Sequence, residues 1–384
     1  MTGLRAVLGI NGLRADLGMT GQQLDLACWA LQHPERLPDL TLPQWELLIR
    51  QARRADVLAR IAMQLDGRGL IDAVPPAPRN HLQAAMTLAQ AQHREVKREA
   101  ELICAALRGL SIPVILLKGA AYVVADLPAA QGRLFSDTDI LVPKAALAEV
   151  ESQLMLNGWG GTHLDNYDQR YYREWMHELP PMEHMHRHTV LDVHHNILPL
   201  TVRQPPDSAR LIQAARPVPG MAGAMVLAPA DMVLHSMAHL FHNDDLSHGL
   251  RDLSDVYLLL RQFGALPGFW PELLGRAAEL HLQRPLHYGL WALHSLFELP
   301  IPDSVAAVSA CNGPAWPVSL WMAALWRRAL RTDHASTALP LNRPAHLALY
   351  LRAHWLRMPP LMLARHLSIK AWTRLTAAKL NVSE

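Results

Sequence analysis

The sequence predicts an α+β fold that is mostly helical overall, with a small mixed-sheet core between helical regions. Apolar residues recur at helical spacing near both ends of the chain, whereas its middle contains short β-branched apolar runs. Half of the 384 residues are hydrophobic and 18% are charged, which is typical of a globular protein with a sizeable core. We expect an N-terminal helical region over residues 1–100, an α/β core over 101–228 and a C-terminal helical domain over 229–384.

The charge balance and the cysteines exclude several classes of protein. Thirty-six Lys and Arg residues face 34 Asp and Glu residues, so a strongly basic nucleic-acid binder is not the default interpretation, although a local basic patch stays possible. Cys28, Cys104 and Cys311 are far apart and form no CxxC pair, which predicts no disulfide framework and favours the cytoplasm.

Membrane insertion and secretion are not expected. Residues 1–19 carry scattered charges instead of a continuous apolar stretch, so we expect no signal peptide. No window approaches the roughly 18 uninterrupted apolar residues of a membrane span, which predicts no integral membrane association. Peripheral binding to an acidic partner remains open because the last third is rich in arginine.

The first hundred residues predict helices. Residues 42–65 place apolar side chains on one face, and Thr41 and Gln44 have the spacing of a capping box. The proline-rich segment 75–78 is expected to break the chain before a long helix, which carries Cys104 beside its apolar stripe as buried packing.

The middle of the chain predicts three strands. Residues 112–117 read as a buried strand that ends in a turn at Lys118 and Gly119, followed by a short helix over 120–125. A second strand is expected over 137–142 and a helix over 145–156. A third strand is expected over 189–196, and helices resume at 231 and continue to 380.

Two acidic residues lie two positions apart on the second predicted strand. Asp137 and Asp139 therefore point to the same face, where their charges repel each other. Mg²⁺ is the usual solution, because it prefers carboxylate oxygens and leaves positions for phosphate oxygens. Asp192 is the single acid of the third predicted strand and would complete a metal triad if the two strands are neighbours. The alternative is that Asp137 and Asp139 only cap or salt-bridge a strand edge, because D-x-D alone is common.

The residues around these acids favour phosphate binding. Lys118 and Gly119 place a cation and a flexible turn at a strand end, where the backbone N–H groups of residues 119–121 are free to meet a phosphate. Arg133 and Ser136 are candidate donors to a triphosphate. The sequence contains neither a P-loop nor a GxGxxG motif.

These motifs together resemble a known family. The run Leu117-Lys118-Gly119, then Arg133 with Asp137-x-Asp139, then Leu191-Asp192-Val193-His194 strongly resembles the uncharacterised bacterial nucleotidyltransferases of the polymerase-β-like superfamily. The resemblance covers roughly residues 40–260. It implies a nucleotidyltransferase core that holds two Mg²⁺ ions through Asp137, Asp139 and Asp192, with Gly119 as the turn glycine. Ala120 departs from the wider superfamily, which usually has Ser or Gly there, so a hydroxyl contact to the phosphates is missing.

Histidines offer further candidate sites. We expect His194 to support the acids or to contact the acceptor substrate. His184, His186 and His188 share its strand parity but are expected on the surface or in a loop, without a cysteine to support a zinc site. His235 and His239 form an H-x-x-x-H pair, for which packing is favoured over metal binding, with His239 facing the cleft before the C-terminal domain.

Two clusters of the C-terminal part have open interpretations. Arg251, Asp252 and Asp255 form either an interdomain ion network or part of a substrate site. The Trp- and Arg-rich segment that begins at Trp316 and includes Trp321 is expected to serve packing more than nucleic-acid binding.

The combined hypothesis is a Mg²⁺-dependent nucleotidyltransferase. It would move a nucleoside monophosphate from an NTP, most simply ATP, to an acceptor and release pyrophosphate. A small molecule, a peptide or a saccharide is favoured over nucleic acid as the acceptor. The alternatives are kinase-like phosphoryl transfer from the same NTP site, and a catalytically degenerate nucleotidyltransferase fold that only binds. The sequence does not predict the oligomeric state.

Overall fold

A computed structural model of the protein describes residues 25–161, 172–173 and 175–358. The described chain combines one mixed β-sheet with helices before and after it, as the α+β prediction states. Among its helices, none has the length and apolar character needed to cross a bilayer. The predicted helical tail beyond residue 358 and the first 24 residues lie outside the described residues.

The helices of the N-terminal part precede the sheet. They are α1 (Leu26–Gln32), α2 (Leu42–Arg54), α3 (Leu58–Asp66) and α4 (Pro76–Leu107), with short 3₁₀ helices at Pro34–Asp39, Ile71–Ala73 and Arg108–Leu110.

Two predictions for this part need correction. The helix expected over residues 42–65 is two helices, because Asp56 adopts a left-handed φ of 54° that α-helix does not allow. The capping box itself is confirmed, since the Thr41 N–H donates to Gln44 Oε1 at 2.6 Å. The prolines at 75–78 begin α4 instead of only interrupting the chain, because Pro76 occupies the first helical position, which needs no N–H donor.

The sheet contains seven strands among the described residues. In chain order they are β1 (Val114–Leu116), β2 (Asp137–Leu141), β3 (Trp159–Gly161), β4 (Met182–His184), β5 (Val190–His194), β6 (Arg216–Pro217) and β7 (Ala224–Val226). Their spatial order is β3-β4-β5-β2-β1-β7-β6. The pairs β2–β5 and β1–β7 are parallel, whereas the pair β1–β2 is antiparallel.

The three predicted strands are the centre of this sheet, and the four unpredicted ones flank it. β3, β4, β6 and β7 have only two or three residues each, too few for an alternating pattern to be read from sequence. The strand parity that linked His184 to His194 is broken, because residues 185–187 form a turn between β4 and β5.

Helices between and after the strands complete the fold. They are α5 (Lys118–Val124), α6 (Leu147–Leu156), α7 (Ser208–Ala214), α8 (Pro229–His242), α9 (Gly249–Phe263), α10 (Phe269–Glu279), α11 (Gln283–Phe297), α12 (Asp303–Cys311), α13 (Trp316–Ala329) and α14 (Asn342–Arg357), with 3₁₀ turns at Pro128–Ala130 and Lys144–Ala146. The helix α4 packs across β1, β2 and β7, while α8 packs on α5. One continuous apolar core joins these layers, and Cys104 is buried in it as expected.

The Trp-rich segment is only partly packed. Trp326 is buried against Phe241, but Trp316 and Trp321 are 75% and 62% exposed. The packing interpretation is therefore wrong for these two side chains, because both are largely exposed to solvent.

Candidate active site

The three predicted acids lie on two neighbouring strands at the centre of the sheet. In the parallel β2–β5 pair, Asp139 stands directly opposite Asp192, and Asp137 stands opposite Val190. Residues opposite each other in a pair share a sheet face, as do residues two apart on one strand. All three carboxylates therefore project from the same face of the sheet.

Asp139 is the most strongly held of the three. Its Oδ1 accepts hydrogen bonds from Lys118 Nζ at 3.0 Å and from His194 Nε2 at 2.9 Å. Burial alone would raise the pKa of Asp139, but the Lys118 ammonium and the His194 imidazole outweigh it and hold the pKa well below its usual range. Asp139 is thus ionised, and the Lys118 ammonium together with the His194 Nε2–H stabilises its buried charge.

Asp192 lacks such compensation. Its Oδ1 is buried and has no hydrogen-bond partner. Burial, then the charges of Asp139 and Glu178, raise the pKa of Asp192 to about 7. A buried, unpartnered carboxylate oxygen beside further carboxylates fits a divalent cation, which would supply the missing charge and ligand contact.

Asp137 lies at the more open end of β2. Ser136 Oγ donates to its Oδ1 at 3.2 Å. Ser136, which the sequence predicts to donate to a phosphate, thus donates to the carboxylate of Asp137 in this structure. Loss of solvent around the carboxyl, and then the Asp139 charge, raise the pKa of Asp137. The structure therefore brings together three acids whose mutual repulsion is only partly relieved.

A cavity of about 210 Å³ opens in front of Asp137 and Asp139, whereas Asp192 lies beside Asp139 on the next strand and is not among the lining residues. The residues predicted to bind phosphate line this cavity, together with residues from the helices that follow the sheet. The lining residues are Lys118, Gly119, Arg133, Leu134, Phe135, Ser136, Asp137, Asp139, His239, Asn243, Asp245, His248, Arg251 and Asp252. Positive side chains thus stand beside the carboxylates, an arrangement that can receive a polyanion together with a cation.

Gly119 borders this cavity for a steric reason. A Cβ on Gly119 would lie 2.5 Å from Phe135 Cε1 and 3.0 Å from Arg133 Nε. Any larger residue at this position would displace two side chains that line the cavity. Lys118, the residue before it, adopts a left-handed φ of 43°, an unusual conformation for a non-glycine residue.

Arg133 has a structural partner in addition to its place on the cavity wall. Its Nε lies 3.1 Å from Asp255 Oδ2, and the other Asp255 oxygen accepts from Arg60 Nη2 at 2.6 Å. Arg60 is 2% exposed. Asp255 therefore belongs to a buried ion network, whereas Arg251 and Asp252 line the cavity, so both interpretations of that cluster apply to different residues.

A second cavity of about 180 Å³ adjoins the first and shares Lys118, His239 and Asn243 with it. His177 and Glu178 lie on its wall, and sequence reasoning missed both. They fall in an irregular stretch without strand periodicity, but Glu178 forms an isolated bridge with His194 at the end of β5. The sequence signal that could have indicated them is that a histidine and a glutamate are adjacent and are flanked by the apolar residues Met176 and Leu179.

The remaining histidines divide into cavity and packing residues. His239 lines both cavities, as expected for a residue that faces the cleft, and burial followed by the Lys118 charge lowers its pKa to about 3. His235 is buried in α8. The surface placement expected for His184 is wrong, because its ring is buried against Trp159 and accepts hydrogen bonds from the turn at 186–187.

Comparison with known proteins identifies one family. A family model described as an uncharacterised nucleotidyltransferase matches residues 42–298, which is more than half of the chain. The match contains Asp137, Asp139 and Asp192 and every residue that lines the first cavity. Of the residues that line the second cavity, Arg357 lies outside the match. A comparison with curated proteins finds no match.

Proposed function

Because the chain belongs to the uncharacterised nucleotidyltransferase family, we propose that it transfers a nucleoside monophosphate from an NTP to an acceptor in a Mg²⁺-dependent reaction. The observation that carries this proposal is the register of β2 and β5, which aligns Asp139 with Asp192 and leaves Asp137 on the same sheet face. Pyrophosphate would leave on the side of Lys118, and ATP is the donor we favour.

Asp137, Asp139 and Asp192 would hold the metal, in agreement with the unpartnered oxygen of Asp192. Mg²⁺, most simply two ions, would neutralise phosphate charge and lower the pKa of the attacking hydroxyl. Alternatively, Asp192 would itself accept that proton instead of binding the metal, a role that its raised pKa of about 7 supports.

Lys118 and Arg133 would stabilise negative charge on the departing phosphates. Lys118 Nζ lies 3.0 Å from Asp139 Oδ1, and Lys118 lines the first cavity, where its charge would meet a bound phosphate. Arg133 is oriented by Asp255 towards the same cavity. Ser136 and the backbone of Gly119 would add neutral donors at the cavity edge.

The acceptor would approach from the second cavity, which meets the first at Lys118 and His239. Its size favours a small molecule, a peptide or a saccharide over a nucleic-acid duplex. The three cysteines are free, which supports our placement of the reaction in a reducing compartment such as the cytoplasm.

The test is the fate of labelled phosphate. We expect ATP labelled on the α-phosphate, Mg²⁺ and a small-molecule extract to give a labelled product in the presence of the protein, with equimolar pyrophosphate. Asp137→Asn should lower this rate roughly a thousandfold, because it removes one charge from the metal site. Transfer of a γ-label instead would establish phosphoryl transfer, and Mg·NTP binding without any transfer would favour a binding protein.

A further inference from the structure

A second group of possible metal ligands stands beside the three acids. His177, Glu178 and His194 each offer one ligand atom, and these atoms all lie within 4.8 Å of one another. Among the described residues, no other group of three or more His, Cys, Asp or Glu side chains has its ligand atoms this close together. None of its members belongs to the Asp137, Asp139 and Asp192 triad.

We propose that His177, Glu178 and His194 bind a divalent transition-metal ion, with Zn²⁺ as its representative. Two imidazoles and one carboxylate are the donor set of many zinc sites that keep a coordination position open. Imidazole nitrogen suits zinc and related ions, whereas Mg²⁺ prefers oxygen ligands and water. The site therefore differs in ion class from the carboxylate triad, and the inference does not depend on nucleotidyl transfer.

Two buried ring nitrogens support this assignment. Nδ1 of His177 is buried and makes no hydrogen bond, whereas His194 is 3% exposed and its Nδ1 faces a carboxylate oxygen. The His194 Nδ1 lies 3.1 Å from Glu178 Oε2. Ligand atoms around a tetrahedral zinc ion are separated by about 3.3–3.6 Å, given bonds of about 2.0–2.2 Å. Nδ1 and Oε2 therefore need to separate by only a few tenths of an ångström, roughly, to hold an ion between them.

The second nitrogen of His194 has the partner that a metal ligand needs. His194 Nε2 donates to Asp139 Oδ1 at 2.9 Å, and Lys118 fixes that carboxylate in turn. Metal-bound histidines usually donate their other N–H to a carboxylate, which fixes the ring and leaves the opposite lone pair for the ion. Asp139 directs the Nδ1 lone pair of His194 towards Glu178 in this way.

The backbone holds the two ligand segments against each other. The N–H of His195 donates to the His177 carbonyl at 2.8 Å, and the N–H of Leu179 donates to the Val193 carbonyl at 2.8 Å. Residues 177–179 are therefore attached to the end of β5, and the ligands are carried by rigid backbone. The second cavity gives an ion a path to them and leaves one side open for water or a hydroxyl group.

The test is direct zinc binding to the full chain. Chelator-treated protein would be titrated with Zn²⁺ against a competing dye, in excess Mg²⁺ so that the carboxylate triad is shielded. We expect one tight site per chain, weakened at least about 100-fold by His177→Ala and at least about 10-fold by Glu178→Gln, which preserves side-chain shape. With Co²⁺ as the probe, the visible absorption bands should disappear in the same variants.

Controls address the 21 histidines of the chain, which can bind zinc weakly at the surface. His188→Ala removes an imidazole that is 75% exposed and should leave the tight site unchanged. Asp137→Asn should also leave zinc affinity unchanged. The proposal is overturned if the wild-type chain has no site tighter than His177→Ala, or if Asp137→Asn weakens zinc binding as much as His177→Ala does. Circular dichroism of each variant verifies that the chain is folded.

Discussion

At the scale of single residues, the two acids of β2 differ more than their sequence spacing indicates. The sequence predicts two equivalent carboxylates that repel each other, so that either one could lose its charge without harm to the fold. The structure instead gives Asp139 two partners, Lys118 and His194, while Asp137 accepts a hydrogen bond from the neighbouring Ser136. The difference follows from tertiary contacts 21 and 55 residues away, which no local pattern contains.

Asp139→Asn should therefore destabilise the metal-free protein, whereas Asp137→Asn should not. Removing one partner of a buried ion pair costs about 3–5 kcal/mol, because the remaining charge stays buried. Asp137→Asn only relieves repulsion and should change the free energy of unfolding by less than about 1 kcal/mol. Urea unfolding in chelator compares the two variants directly. Equal stability of both would show that the Lys118 and His194 contacts contribute nothing.

Asp192 makes the stability of the metal-free protein depend on pH. Its folded pKa of about 7 exceeds the ordinary value of 3.8, so the folded state binds a proton more tightly than the unfolded state. This stabilisation is complete below about pH 4 and is lost as pH rises towards and through 7.

Asp192→Asn stays neutral and should remove this pH dependence. Its free energy of unfolding should exceed that of the parent increasingly from pH 4 to pH 8, by on the order of 2–4 kcal/mol at the upper end. Urea unfolding across this range in chelator is the measurement. A constant difference between the two proteins would contradict the raised pKa.

At the scale of secondary-structure elements, the loop that precedes β2 is fitted closely against α3. Gly132 has a φ of 65°, and a Cβ there would lie 2.3 Å from the backbone nitrogen of Arg60 and 2.5 Å from the carbonyl carbon of Ala59. The contact is between two backbones, so no side chain can move aside. It fixes the segment that places Arg133 on the cavity wall.

Gly132→Ala should therefore be strongly destabilising, and Gly69→Ala is its matched control. Gly69 has nearly the same φ, 67°, but nothing lies within 4 Å of its Cβ position. The control should lose only the conformational cost of about 1–2 kcal/mol, whereas Gly132→Ala should lose at least about 3 kcal/mol. Chemical denaturation of both variants separates backbone strain from steric clash. Equal losses would mean that the backbones do not meet.

The elements of the site were predictable where the chain has a local signal. Buried apolar runs marked β1, β2 and β5, but the sequence left open whether β2 and β5 are neighbours, and only their pairing places Asp139 opposite Asp192. His177 and Glu178 were missed because their segment joins the sheet through isolated backbone contacts with β5. Arg133 was assigned to phosphate alone, since its partner Asp255 lies on a helix more than a hundred residues later in the chain.

At the scale of the whole molecule, buried polar contacts join the helices that precede the sheet in the chain to the helices that follow it. Arg60 from α3 donates to the carbonyl of Ala129 at 2.7 Å and to Asp255 of α9 at 2.6 Å. Asp25 accepts from the backbone and the hydroxyl of Thr332. The regions before and after the sheet are thus connected to each other, and we expect them to unfold together.

Asp255→Asn should weaken this connection throughout the molecule. It leaves two buried guanidinium groups, Arg60 and Arg133, without a negative partner and should cost about 3–5 kcal/mol in a single unfolding transition. Asp333→Asn is the control, because Asp333 pairs with Arg54 at a similar distance of 2.6 Å but in solvent, and should cost at most about 1 kcal/mol. Tryptophan fluorescence and far-UV circular dichroism should report the same midpoint. Separate midpoints would show independent domains.

The central claim is that the cavity lined by Asp137 and Asp139, with Asp192 beside Asp139 on the neighbouring strand, binds an NTP together with Mg²⁺. Calorimetric titration of the protein with a non-hydrolysable ATP analogue tests it without knowledge of the acceptor. We predict saturable binding of one nucleotide that requires Mg²⁺ and weakens at least about tenfold in Asp137→Asn, the variant whose fold should be unaffected. Binding that is equally strong without Mg²⁺, or unchanged in Asp137→Asn, would contradict the assignment of this cavity as the nucleotide site.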